Sequence, residues 1–251
     1  MSIVTICPGT YVGNFTISRG MVVAGAGQGV DPAANTILSA NQQGRVLLLE
    51  GTAGDVTLEK LRLTGGMLSN DYGAGIVSMG AGLNMTNCAV TANEGSNVSG
   101  VGIYSQSSLQ MTGCLVSENA CTSGGAALAG GIYAQGLTTL TDCEITGNTT
   151  TGDAGGLLVA AGLTTLAGQS TISENTAAGG GGIVVASGAS LTIEASCQVT
   201  HNTATELYGG IANEGVVTLQ GNAPATIVVN NCPDNCLNVP GCSNAQVDCP
   251  D

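Results

Sequence analysis

The chain has 251 residues and a net charge of −13, from 17 acidic and only four basic residues, with 40 Gly, one Phe and no Trp. Binding to nucleic acid or to an anionic membrane surface needs clustered Lys and Arg, and here Arg19, Arg45, Lys60 and Arg62 are the whole supply, so both partners are excluded. No apolar run approaches the ~18 residues of a membrane span, so membrane insertion is excluded too. With 43% hydrophobic residues but almost no aromatic volume, the core must be narrow.

The first sixty residues read as short strands between turns: IVTIC, NFTIS, GMVVAGAG, NTILSA and RVLLLEG. Met1 runs directly into the first of these, without a basic-then-apolar leader. The chain is therefore either cytosolic or an exported protein whose leader has been removed.

From residue 61 to 231 the chain repeats itself. An apolar residue follows a glycine cluster at Ile76, Ile103, Ile132, Leu157, Ile183 and Ile211, at intervals of 27, 29, 25, 26 and 28. An Asn closes each unit at Asn93, Asn119, Asn148, Asn175, Asn202 and Asn230, at intervals of 26, 29, 27, 27 and 28. Two independent markers thus give one period near 27. Five residues before each Asn stand Cys88, Cys114, Cys143, Ser170, Cys197 and Ala225. Three before it stand Val90, Val116, Ile145, Ile172, Val199 and Ile227, and two before it Thr91, Ser117, Thr146, Ser173, Thr200 and Val228. Alternation of this kind is a strand with Cys and Val/Ile facing in and Thr/Ser facing out.

A unit this short buries its apolar face only by stacking on its neighbours. The expected fold is therefore all-β: a single-stranded parallel β-helix of about nine coils of ~27 residues, three strands and three turns each. Two or three of the coils precede residue 60. The closing Asn residues should stack as a structural ladder, their amides bonding turn backbone and one another. The glycines are expected to supply backbone angles closed to other residues.

After the solenoid (residues 1–231) comes a Cys-rich tail, residues 232–251, read as a cap over the last coil. Cys232, Cys236, Cys242 and Cys249 are spaced four, six and seven apart, unlike the paired C-x₂-C of zinc ribbons. Two disulfides within the tail are expected, in any of three pairings. Disulfides in turn imply export, to an extracellular or cell-surface location. Free thiols and a Cys₄ metal site are the alternatives.

The motifs GAGI, GVGI, GGI, GGL and GGGI, paired with VTAN, VSEN, ITGN, ISEN and VTHN, resemble the repeats of polymorphic outer-membrane autotransporter passengers. Val or Ile here replaces the Phe of that family's second motif. More broadly, residues 3 to 231 resemble right-handed, pectate-lyase-like β-helices. The resemblance implies the right-handed solenoid, on a scaffold that carries lyases, hydrolases, adhesins and tail spikes alike.

Catalytic signals are sparse. A lyase of the resembled class would need a basic residue beside an acidic calcium cluster. Lys60 and Arg62, near Asp55, Glu59 and Asp71, are the only candidates, and the bland reading is a solvated strand face. His201 lies in an exposed turn position with no nucleophile beside it. Cys88, Cys114 and Cys143 form one inward column, read as core packing. No cofactor and no catalytic residue is assigned, although Asp153, Asp234 and Asp248 could hold calcium loosely.

The most suggestive surface is the position after each inward Ile/Leu: Val77, Tyr104, Tyr133, Leu158 and Val184, followed by Ala212. By alternation it faces outward, as a candidate binding stripe on which adjacent Tyr104 and Tyr133 could hold a sugar ring. A position beneath a long loop is the alternative, and NACTSGGAALAGGI is the one long inter-strand segment. The function expected is an exported, non-catalytic module that binds a cell-surface glycan or protein. The alternatives are a polysaccharide-active enzyme and a filament subunit that self-associates end to end.

Overall fold

In the computed structural model every residue is described except 1, 52–53, 125–127, 222–226, 245–248 and 250–251. Among the described residues there is no helix, and the strands stack into three nine-stranded parallel sheets and a fourth of six strands. The first sheet runs from Ser2–Thr5 to Val216–Leu219, the second from Gly9–Val12 to Val228–Val229, the third from Phe15–Ile17 to Cys236–Leu237. Each coil visits the first, second and third sheets in turn. From the third coil to the eighth it adds a short strand of the fourth sheet, Met67–Ser69 to Thr203–Ala204, between the second and third. Two coils precede residue 56, and the repeat yields nine rungs.

The inward column Leu63, Val90, Val116, Ile145, Ile172 and Val199 lies in register across the second sheet and is buried in one continuous core. Ile76, Ile103, Ile132, Leu157, Ile183 and Ile211 do the same in the third. Rungs ~4.8 Å apart place like residue on like residue, so slim branched side chains fill the column and bulky rings are not needed. In the Thr/Ser column, Thr146, Ser173 and Thr200 are half-buried, but Thr91 and Ser117 are buried.

The Asn ladder is continuous. Each backbone N–H and each side-chain amide donates to the Oδ1 of the Asn in the next rung, at 2.8–3.2 Å for Asn93 to Asn119 and 2.9–3.1 Å for Asn119 to Asn148. Asn148, Asn175 and Asn202 continue it. The next member is Asn231, which accepts from Asn202 at 2.9 Å, and not the expected Asn230. The last coil is one residue longer before its Asn, and Val228 rather than Ile227 pairs with Val199. Asn230 takes the exposed left-handed position that Glu118, Glu174 and His201 take in earlier coils. Ala225, the expected sixth member of the Cys column, lies outside the described residues.

The glycines meet the expectation in part: Gly73 and Gly100, which open two of the units, have positive φ of 53° and 58°, whereas others serve a different purpose. A Cβ on Gly102, Gly156 or Gly182 would sit 2.7 Å from the carbonyl oxygen of the matching glycine one rung on, and 2.9 Å from the amide nitrogen of Asn119, Asn175 or Asn202 respectively. None of these three has a positive φ. They are required by close approach: the ladder Asn and the next rung's backbone occupy the space of a side chain. Each unit opens on glycine because it closes on asparagine.

At the C-terminal end, Asn231 donates to Asn235 Oδ1, and Asn235 in turn donates to the Ser243 carbonyl at 2.8 Å. Disulfides join Cys232 to Cys249 and Cys236 to Cys242. The tail does more than cover the end. Its Cys236–Leu237 pairs with Ile211 and Ala212 as the ninth strand of the third sheet, so the solenoid extends past residue 231.

Candidate functional site

The outward column of the third sheet runs Thr16, Leu48, Val77, Tyr104, Tyr133, Leu158, Val184, Ala212, Leu237, one residue per rung. It faces away from the main core and forms a second apolar cluster with Ala129, Ala154 and Leu128. The segments that enter each third-sheet strand fold back over it, joined to one another by bridges between Ala129, Ala154, Gly180 and Tyr208. Val77, Tyr104, Tyr133 and Leu158 are consequently buried, so the stripe is a covered column over much of its length.

The tyrosines illustrate why. Tyr104 and Tyr133 stack with ring centroids 4.6 Å apart, because the rung spacing of a parallel sheet matches aromatic stacking distance, and Tyr72, from the covering segment, lies tilted against Tyr104 at 4.5 Å. Tyr104 meets a ring on each side and both Tyr104 and Tyr133 are buried, so the two do not form the expected open sugar platform. Gln106 and Gln135 hold the Tyr104 and Tyr133 hydroxyls, at 3.2 and 2.9 Å. Burial, opposed by the Gln106 hydrogen bond, raises the Tyr104 phenol above its ordinary value.

Where the cover thins, the column opens into a groove of about 390 Å³. Its floor runs over Tyr133, Leu158, Val184, Ala212 and Leu237, of which Tyr133 and Leu158 are buried beneath the cover and Val184, Ala212 and Leu237, three rungs spanning roughly 10 Å at the parallel-strand spacing, are half-buried. One wall is Leu128, Asp153, Gly179, Gly180, Leu207 and Tyr208, and the other is Ala160, Ala186 and Glu214. Leu207 is 53% exposed, and Asp153 and Glu214 are exposed. Of the stripe residues, Tyr133, Leu158 and Val184 therefore line the groove, whereas Val77 and Tyr104 do not.

The other sequence candidates lie elsewhere. Lys60 is exposed in a left-handed turn between the first and second sheets. Arg62 lies on the outer face of the second sheet, where burial lowers its guanidinium while Glu118 opposes that effect. Asp71 is held by Arg45 at 2.9 Å, so it does not join Lys60 in a site. His201 is exposed and pairs only locally, with the Thr200 hydroxyl at 3.0 Å. Of the three aspartates weighed for calcium, Asp153 is on the groove wall, Asp234 is in the tail and Asp248 lies outside the described residues.

Cys88, Cys114 and Cys143 are buried free thiols in one column with Ser170 and Cys197. The Cys88 N–H donates to the Cys114 sulfur at 3.4 Å, and the Cys143 N–H donates to the Ser170 hydroxyl at 3.1 Å. The column thus mirrors the Asn ladder in weaker form. The neighbouring Cys114 thiol and burial push Cys143 well above the ordinary thiol range. Cys114, although Cys143 beside it works the other way, is pushed up to about 12 by Cys88 and by burial. The Cys114 contact holds Cys88 lower against its own burial.

The family model described as a right handed beta helix region matches residues 14–169, more than half of the chain. The chain belongs to the right-handed β-helix family. No curated protein and no solved structure matches it. In this β-helix the groove lies over the third sheet, beyond the part in which the family match ends, apart from Leu128, Tyr133, Asp153, Leu158 and Ala160.

Apart from Asp153, weighed only for calcium, the walls are not legible in the sequence, for a physical reason. Floor residues sit on the period and are found by alignment, whereas Asp153, Leu207, Tyr208 and Glu214 sit in connections whose lengths vary between coils. The long segment holding Leu128 carries a signal through its length.

Proposed function

We propose that the protein is an exported, non-catalytic β-helix module that binds a cell-surface ligand in the groove over its third sheet. The groove itself carries this reading: an elongated apolar floor with exposed polar groups on both walls is the usual form of a ligand site. The tail disulfides favour an oxidising compartment, and the repeats resemble those of autotransporter passengers. A glycan suits the groove better than an extended peptide. The floor is a sheet face, whose backbone groups are already used between rungs, so a peptide backbone laid on it would find no strand edge to pair with. Sugar rings pack their apolar faces on such a floor and leave their hydroxyls to the walls and to water.

Leu207→Asn tests the site, because Leu207 is exposed on the wall, its loss should not disturb the core and the change adds no charge to the groove. On a glycan array, signals given by the unaltered protein should fall about tenfold or more in the variant, with an unchanged unfolding midpoint. Equal signals from both proteins would remove the groove from the function.

End-to-end association is a second reading, favoured by one observation. The first rung exposes Ile3 (69%) and Val12 (66%) beside a hollow of about 280 Å³ lined by core residues such as Phe15 and Leu47. Sedimentation of the protein and of an Ile3→Asp variant would detect it as a dimer lost on substitution.

A further inference from the structure

We propose that the groove selects a glycan bearing free amino groups, a polymer of glucosamine units, over neutral or carboxylated sugars. The inference rests on the glycan-binding reading above and names its ligand class. Its basis is where the charges lie. All four cationic side chains of the chain fall between Arg19 and Arg62, and from residue 63 onward there are 13 acidic residues and no Lys or Arg. The only ion pair among the described residues, Arg45 with Asp71, is likewise in the first third. The groove begins at Leu128 and Tyr133 and runs to Leu237. It lies wholly in the part of the molecule that supplies no positive charge.

Within that field two carboxylates face the ligand space from opposite walls, Asp153 on one and Glu214 on the other. Both are exposed. A carboxylated sugar in the groove would meet both at close quarters and be repelled. A neutral sugar would cover them in part and return no charge to offset the lost hydration. Ammonium groups spaced along a sugar chain would meet a carboxylate on either side while the ring faces rest on Val184 and Ala212, the half-buried part of the floor. A Lys- or Arg-rich peptide shares the charge but lacks the means to satisfy its backbone on this floor, and it serves as a comparison ligand.

The test uses the full chain and two hexasaccharides of one backbone, fully N-acetylated and fully deacetylated glucosamine, titrated calorimetrically at low and at raised salt. The deacetylated hexamer should bind about tenfold more tightly, the sum of two exposed charge pairs. The advantage should shrink with salt and vanish in Asp153→Asn/Glu214→Gln. A control, Glu144→Gln/Glu174→Gln, removes the same charge from exposed positions that do not line the groove and should keep the advantage. Equal affinity for both hexamers would overturn the amine preference while leaving glycan binding intact. An advantage that survives Asp153→Asn/Glu214→Gln, or is lost equally in the control, would assign the preference to net charge and overturn the site. Binding of hexalysine without binding of either hexasaccharide would overturn both the inference and the glycan reading.

Discussion

Replacing Asn148 with Ala isolates what the ladder contributes. The Asn148 side chain is fully buried and makes five hydrogen bonds. Its Oδ1 accepts from the Asn119 backbone N–H at 3.1 Å and from the Asn119 amide at 2.9 Å. Its Nδ2 donates to the carbonyls of Val116 and Thr146 and to Asn175 Oδ1 at 2.9, 3.2 and 3.0 Å. On truncation the neighbouring amides keep other partners: Asn119 Nδ2 still reaches the Val90 carbonyl, and Asn175 Oδ1 still accepts from the Asn148 N–H. The buried Asn119 N–H is the group stranded. A stranded buried donor costs about 1–3 kcal/mol and each net bond lost about 1 kcal/mol, so the expected loss is about 2–4 kcal/mol in urea unfolding. Asn148→Asp sharpens the test, because its carboxylate would face two carbonyls and Asn175 Oδ1 with no proton to donate. Burial raises the folded pKa of such an acid, so its stability should be greatest below the unfolded value near ~4 and fall as pH rises through it. The same pair of measurements at the last coil checks the register. Asn231→Ala should cost as much as Asn148→Ala, and Asn230→Ala, at an exposed position, about 1 kcal/mol or less. An unchanged midpoint for Asn148→Ala would mean that water replaces the amide freely and that the ladder shapes turns without stabilising them.

The remaining predictions concern other parts of the stack. Gly156→Ala should destabilise by about 1–3 kcal/mol, read by urea midpoint, since its Cβ would overlap the Gly182 carbonyl and the Asn175 amide. Reduction should lower the thermal midpoint and free four tail thiols to titration. The Cys232–Cys249 link, closing 17 residues, should account for about 3 kcal/mol and the Cys236–Cys242 link, closing six, for about 2 kcal/mol. Above pH ~9, the ordinary thiol range, the fold should lose stability. Cys114 and Cys143 hold their protons more tightly folded than unfolded, so their contribution is complete below the unfolded value and is lost as pH rises toward about 12. Cys88 is shifted the other way and reduces the effect. Cys114→Ser should flatten the decline, measured by chemical unfolding across that range.

The fold was legible because a parallel stack writes its register into the sequence. Val90, Val116, Ile145, Ile172 and Val199 recur at the rung interval since each must meet its like. The reading slipped where one residue was inserted, at Asn230 against Asn231. Period alone cannot distinguish a ladder amide from the left-handed residue beside it when both are Asn. Turn geometry accounts for Gly73 and Gly100 but not for Gly102, Gly156 and Gly182, because a sequence shows that a side chain is missing but not which neighbour fills its place. The burial of Val77 and Tyr104 was illegible for a related reason: alternation tells which face a residue takes, whereas the cover comes from connections off the period.

That division bears on how such a chain can acquire a site. Residues on the period are fixed in threes: an inward branched residue, a closing Asn and a glycine that makes room for it. Changing any one strains the rung above and the rung below, as Gly156 with its close approaches to Gly182 and Asn175 illustrates. The connections carry no such obligation. Asp153, Leu207 and Glu214 stand in coils whose frameworks are nearly interchangeable, yet they put a carboxylate, a leucine and a second carboxylate around one groove. If the groove binds as proposed, its choice of ligand falls to the residues that do not repeat, and variants at those positions should alter that choice while leaving the stack's stability within about 0.5 kcal/mol.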